Sequence, residues 1–163
     1  MKFTVELLRS DVVNGNGRMY PASVVQDMVR QFGELDHPMI GEIGVHDGRE
    51  SSLVNATHTI DKVWVNHDKK HRLPRKKKKE IKKTFGSNTY NLFTKKGAGV
   101  LMGEINVFDK KISKELVAVS CFRPRGIGQY SIDGKIQDDY ELLSFDMINS
   151  SEDSFKGLMS KSE

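Results

Sequence analysis

Hydrophobic and polar residues alternate at the start of the chain. Over residues 1–9, Phe3, Val5 and Leu7 fall on one side and Thr4, Glu6 and Leu8 on the other, which is the period of a strand. Asn14-Gly15-Asn16-Gly17, two consecutive pairs of strong turn formers, closes that segment. The period then changes. Pro21 stands where a first helical residue belongs, and Val24, Val25, Met28, Val29 and Phe32 recur on one helical face, with Gly33 as the stop. Beyond it the pattern is mostly strand: a short apolar segment at 39–43, a β-branched alternating run at 56–65, and another strand at 99–108. Residues 109–117 read as two turns of helix, 118–122 as a strand, Arg125 to Gly128 as a turn, and 140–148 as a last strand. About six strands against one clear helix predict a strand-dominated α+β, barrel-like domain.

Two stretches fall outside this pattern. Residues 66–98 form a long connection between hairpin partners, a length that is usually functional or disordered. Residues 149–163 are polar and are expected to fray, so the domain is placed at 1–150 with 151–163 as a flexible tail.

Charge changes the picture at one place. The formal net charge is +4, but the run from Lys69 to Lys83 holds ten Lys or Arg and one acid. Taking it from the 26 basic and 22 acidic residues leaves 16 against 21, so the remaining body carries −5. The chain reads as a mildly acidic domain bearing a basic loop, not as a basic fold. The single cysteine, Cys121, excludes an internal disulfide framework and a multi-cysteine zinc module. No apolar run is long enough for a transmembrane helix, and Lys2 and Glu6 break the start as a signal peptide, so a reducing, intracellular setting is expected.

Candidate chemistry gathers at three kinds of residue. Ser120 ends a small apolar run just before Arg- and Gly-containing sequence, where a hydroxyl could stand beside backbone N–H groups suited to an oxyanion. A buried serine bonded to a carbonyl is the plainer alternative, and Cys121 is the chemical rival. Among five histidines, His46, in a turn-rich stretch, and His58, within a strand, are comparable candidates for a general base. His37 precedes Pro38 at the helix end, and His67 and His71 flank the basic loop. A zinc site from His46, His58 and Asp47 or Cys121 matches no known ligand spacing, so neither metal nor cofactor is expected. Asp146 interrupts an otherwise apolar strand, and a buried carboxylate there would need a partner such as a histidine N–H.

Five segments then line up in order with a known family. Asn14 to Tyr20 resembles the N-x-N-G-R-x-Y opening of the tailed-phage, myovirus-type prohead maturation proteases. Residues 38–43 followed by His46 resemble their L-G-E-L-x-H-P segment, and 56–64 their A-S-H-x-I…L-W strand. Val119-Ser120 with Arg125-Gly126-Ile127-Gly128 resembles G-V-S-S-R-G-x-G, although four residues separate Ser120 from the Arg-Gly pair where the pattern has about one. Residues 142–148 resemble L-x-V-G-V-D-V-V, with Asp146 at the aspartate.

The resemblance implies a herpesvirus-assemblin-like fold with few helices and a serine endopeptidase that cuts scaffold and capsid proteins, in many cases after glutamate. Carried over position by position, Ser120 matches the nucleophile, His46 the base and Asp146 the third member, with backbone N–H groups near Arg125 and Gly126 as oxyanion donors. His37 and His58 stay open as alternatives to His46. The GELDHP string ending at Pro38 is literally closer to the motif, whereas His46 has the expected strand before it. Such an enzyme would act in the host cytoplasm inside the assembling procapsid, without a membrane, and with self-association (a homo-oligomer) left open. The alternative is a non-catalytic head protein of the same fold that contacts DNA or acidic protein through the run from Lys69 to Lys83.

Overall fold

The computed structural model describes residues 1–11, 17–46, 49–67 and 99–149, together with Lys79 and Lys83. The basic run as a whole, the body of the first turn motif, Asp47 and the tail lie outside the described residues.

Among the described residues, six strands and two helices follow one another as β1 (Lys2–Arg9), α1 (Ala22–Gly33), β2 (Met39–Gly41), β3 (His58–Asn66), β4 (Val100–Val107), α2 (Lys114–Val119), β5 (Ser120–Ile127) and β6 (Glu141–Asn149). Four strands make one antiparallel sheet in the order β1-β4-β3-β2, and β5 and β6 make a second, antiparallel pair. The two sheets meet beyond β2. There Met147 N–H donates to the Glu42 carbonyl, Gly44 N–H donates to the Met147 carbonyl, and Ile43 bridges Met147 in parallel. On the far side β5 touches β1, with no hydrogen-bonded ladder between them. The expected barrel is therefore not closed: the strands curl around a common core but remain two sheets.

That core explains the segment pattern. Leu7, Leu8, Leu101, Ile105, Phe145, Met147 and Ile148 are all buried, and α1 lays Val24, Val25 and Met28 over β3 and β6. α1 starts at Ala22, whose N–H is taken by Asp11 Oδ1 at 3.0 Å, and Pro21 is the cap rather than the first helical residue. β6 is covered on both faces, so Ser144 to Ile148 are buried without alternation.

Two boundaries differ from the expectation. The second helix is later and shorter, because Ser113 caps it by accepting from Leu116 N–H at 3.1 Å, and it runs through Ala118 and Val119. The expected turn at Arg125 to Gly128 is instead strand through Ile127. Gly126 allows this, since any Cβ there would collide with the Tyr140 ring and the Glu141 carbonyl. Pro124 is tolerated because β5 is an edge strand, whose outer side needs no donor.

Candidate active site

A buried acid cluster forms where the two sheets meet. Asp146 projects from β6, only 2% exposed, and its Oδ1 accepts from Glu42 N–H at 3.0 Å and from Arg125 Nη2 at 2.8 Å. Arg125 comes from the neighbouring strand and is as deeply buried. Its Nη1 donates to Glu42 Oε2 at 3.2 Å and to the Arg49 carbonyl at 3.1 Å, and its Nη2 donates to Ser51 Oγ at 2.7 Å. Glu42 is held further by Arg49, through Nη2 to Oε1 at 2.9 Å and Nη1 to Oε2 at 3.1 Å, and by Ser52 N–H at 3.2 Å. Two carboxylates thus face two guanidiniums, which is how such groups persist out of water.

Their acidities diverge. Burial pushes Asp146 above the usual carboxylate range, and the Glu42 N–H and the Arg125 charge offset this only in part. Burial also acts on Glu42, but the Arg49 hydrogen bonds, the Ser52 N–H and the nearby cations outweigh it and hold Glu42 below its ordinary value. Neither shift is available to an isolated carboxylate, and both follow from the packing at the sheet junction.

His46 is half-buried at the edge of this cluster. Its Nδ1 lies 2.9 Å from Arg49 Nη2, and its Nε2 lies 3.0 Å from the Ile43 carbonyl. It shares a cleft of about 180 Å³ with Arg18, Tyr20, Arg123, Pro124 and Tyr140. It makes no hydrogen bond to Asp146, whose Oδ1 is occupied by Glu42 and Arg125.

Ser120 stands elsewhere. It is the first residue of β5, immediately after α2, and its hydroxyl donates to the Leu116 carbonyl at 2.6 Å. With Cys121 it lines a separate groove of about 380 Å³ walled by Phe3, Val5, Leu8 and Val117. In the β5–β6 register Ser120 faces Asn149, whereas Asp146 faces Arg123. Three residues along a strand separate the two levels by roughly 10 Å. The structure thus brings Asp146, Arg125 and His46 into one neighbourhood and leaves Ser120 in another.

The other positions have clear roles. His58 is fully buried. Its Nε2 donates to the Phe145 carbonyl at 2.9 Å while Thr57 Oγ1 lies 2.9 Å from Nδ1. Burial lowers its pKa, so it is a neutral staple between β3 and β6. Gly41 lies against its ring, with no room for a Cβ. His37 is exposed and pairs with Asp36 at 2.8 Å. The Arg125 side chain belongs to the ion cluster, and the Gly126 backbone lies within the β5–β6 ladder opposite Leu142. Among the described residues no group of three His, Cys, Asp or Glu is placed to hold a metal.

At this point the comparisons with known proteins become informative. The chain shares a fold with the bacteriophage T4 capsid assembly protease. The match to that solved structure, gp21, has a TM-score of 0.58 with 18% sequence identity, over 90% of this chain and 80% of the other. No family model matches the sequence, and no curated protein does. At 18% identity the likeness is one of fold alone.

Arg123 and Pro124, which precede the Arg125-Gly126-Ile127-Gly128 segment, line the cleft beside His46. Glu42 and Arg49 were not foreseen from the sequence. The available signal for Glu42 was a charge set inside an apolar segment, and nothing local marks Arg49.

Proposed function

We propose that this chain works on scaffold and capsid proteins while a phage head assembles, as a head-maturation endopeptidase of the kind whose fold it carries. The observation that carries this reading is the shared architecture over 90% of the chain, and the ordered sequence motifs support it. In this reading Ser120 is the nucleophile, His46 the base and Asp146 the third member. N–H groups near Arg125 and Gly126 receive the oxyanion, and cleavage follows glutamate. The relation to the herpesvirus assemblin fold, the serine mechanism and the setting inside a procapsid in the host cytoplasm rest on the sequence resemblance. For these three residues to act together, the α2–β5 junction has to re-form, because the Ser120 hydroxyl must leave the Leu116 carbonyl and cross to His46.

That separation favours a second reading, in which the protein engages the same head proteins and does not cut them. The run from Lys69 to Lys83 then serves as a docking element for DNA or acidic scaffold protein, with salt-dependent binding. One experiment separates the two. Wild type, Ser120→Ala and His46→Ala are incubated with an acidic scaffold polypeptide, and fragments and complexes are read by mass spectrometry. Cleavage by wild type alone supports the triad. Cleavage that survives in Ser120→Ala removes Ser120 from the role of nucleophile. Binding without cleavage in all three supports the second reading.

A further inference from the structure

Counting donors around His46 fixes where its proton sits. A guanidinium carries five N–H donors, has no acceptor and stays charged at any accessible pH. The 2.9 Å contact from Arg49 Nη2 to His46 Nδ1 therefore requires a lone pair on Nδ1. The ring proton is then on Nε2, and it has an acceptor there, the Ile43 carbonyl at 3.0 Å. Both ring nitrogens are used and the two bonds agree on one tautomer.

This is the reverse of what a triad base needs. A base of that kind donates Nδ1–H to a carboxylate and turns the Nε2 lone pair toward the nucleophile. Here the group at Nδ1 is a cation, and the ring makes no hydrogen bond to Asp146, whose Oδ1 accepts from Glu42 N–H and Arg125. Arg49 is 42% exposed, yet it is tied in place. Both of its terminal nitrogens are bonded to Glu42, whose side chain is 1% exposed and held from the other side by Arg125. Glu42 anchors Arg49, and Arg49 anchors the ring.

We propose that Arg49 is a positioning residue that fixes His46 in the Nε2–H tautomer and thereby keeps it from serving as a general base. His46 in this state is a hydrogen-bond donor at the cleft edge, and base chemistry at His46 begins only when Arg49 leaves Nδ1. The inference builds on the placement of the candidate site at His46 and holds whether or not the chain cuts its partners.

Long-range nitrogen–proton NMR of the histidine rings tests it, recorded near pH 8.5, where an ordinary imidazole is neutral. His46→Gln identifies the His46 signals by their loss. Wild type is expected to show His46 with an acceptor-type Nδ1 and a protonated Nε2. In Arg49→Met the donor to Nδ1 is gone, and the ring is expected to move to a mixture of tautomers while the backbone spectrum elsewhere is kept. Arg49→Lys retains a cationic donor and is expected to restore the wild-type signature in part. A protonated Nδ1 in wild type would overturn the proposal, and that result does not depend on any variant folding. An unchanged tautomer in a folded Arg49→Met would overturn it equally. Run beside them, the cleavage assay keeps the two ideas apart. A tautomer that follows residue 49 with no cleavage by any variant leaves the Arg49 role standing and removes the endopeptidase reading. Cleavage gained in Arg49→Met and abolished by adding His46→Gln supports both.

Discussion

Replacing Arg125 with methionine removes the cation around which the sheet junction is built. The guanidinium bonds Asp146 Oδ1 at 2.8 Å and Glu42 Oε2 at 3.2 Å, and the two carboxylate side chains are 3% and 1% exposed. Neither can recover its hydration in place. Glu42 keeps Arg49, but Asp146 is left with only the Glu42 N–H on Oδ1. Removing one partner of a buried ion pair costs about 3–5 kcal/mol, against a total stability of roughly 5–15 kcal/mol for a domain. The cost depends on pH in a defined direction. Burial already holds Asp146 above the usual carboxylate range with Arg125 present, and without it the folded state favours the protonated form more strongly. Stability from that proton is present below the unfolded carboxyl pKa and is lost as pH rises through the folded one. The variant's deficit is therefore larger at pH 7.5 than at pH 4.5. Denaturant unfolding followed by Trp64 fluorescence at both pH values measures it, with Arg125→Met/Asp146→Asn as the companion that removes the stranded charge. The double variant is expected to regain more than half of the loss. A deficit under about 1 kcal/mol at pH 7.5, or one equal at the two pH values, would refute the reasoning.

A second titration lies away from the cleft. Asp11 is fully buried, and burial raises its pKa from 3.8 to about 6, while its Oδ2 finds no partner among the described residues. A raised carboxyl stabilises the fold at low pH and loses that contribution as pH rises from about 4 to about 6, so Asp11→Asn is expected to gain on wild type over this window. The gain is at most about 3 kcal/mol at 1.36 kcal/mol per pKa unit, and unfolding curves at pH 4 and pH 7 check it. Gly41→Ala drives a Cβ into the His58 ring and the Phe145 carbonyl, and overpacking of this kind costs roughly 1–3 kcal/mol. A thermal or denaturant midpoint that does not move would contradict the tight β2–β6 contact. Deleting residues 69–83 is expected to leave hydrolysis or binding of a short peptide unchanged and to weaken capture of DNA or acidic scaffold at low salt; a large loss on the short peptide would contradict a docking role.

The strands and α1 were legible because their apolar positions repeat with a clear period, and in α1 Val24, Val25 and Met28 are buried where that period places them. β5 was not. Ala118 and Val119 favour strand by composition, yet the Ser113 cap carries the helix through them. Gly126 reads as a turn residue, but it is there to let the strand pass beneath Tyr140. Ser120 therefore stands at the junction of a helix and a strand, not at the end of an apolar strand. Asp146 was visible as an acid within apolar sequence. Its partners were not, because Arg125 lies in a segment whose sequence suggests a turn and Glu42 lies 104 residues before Asp146. No local pattern encodes a cluster assembled from three distant segments around one guanidinium.

The central claim, that head-protein polypeptide is engaged at the candidate site, is tested most directly by hydrogen–deuterium exchange of the intact protein with and without an acidic scaffold polypeptide. The account predicts slowed exchange in peptides covering residues 42–46 and 116–128, which hold His46 and Ser120. No protection in either segment at saturating polypeptide would contradict it.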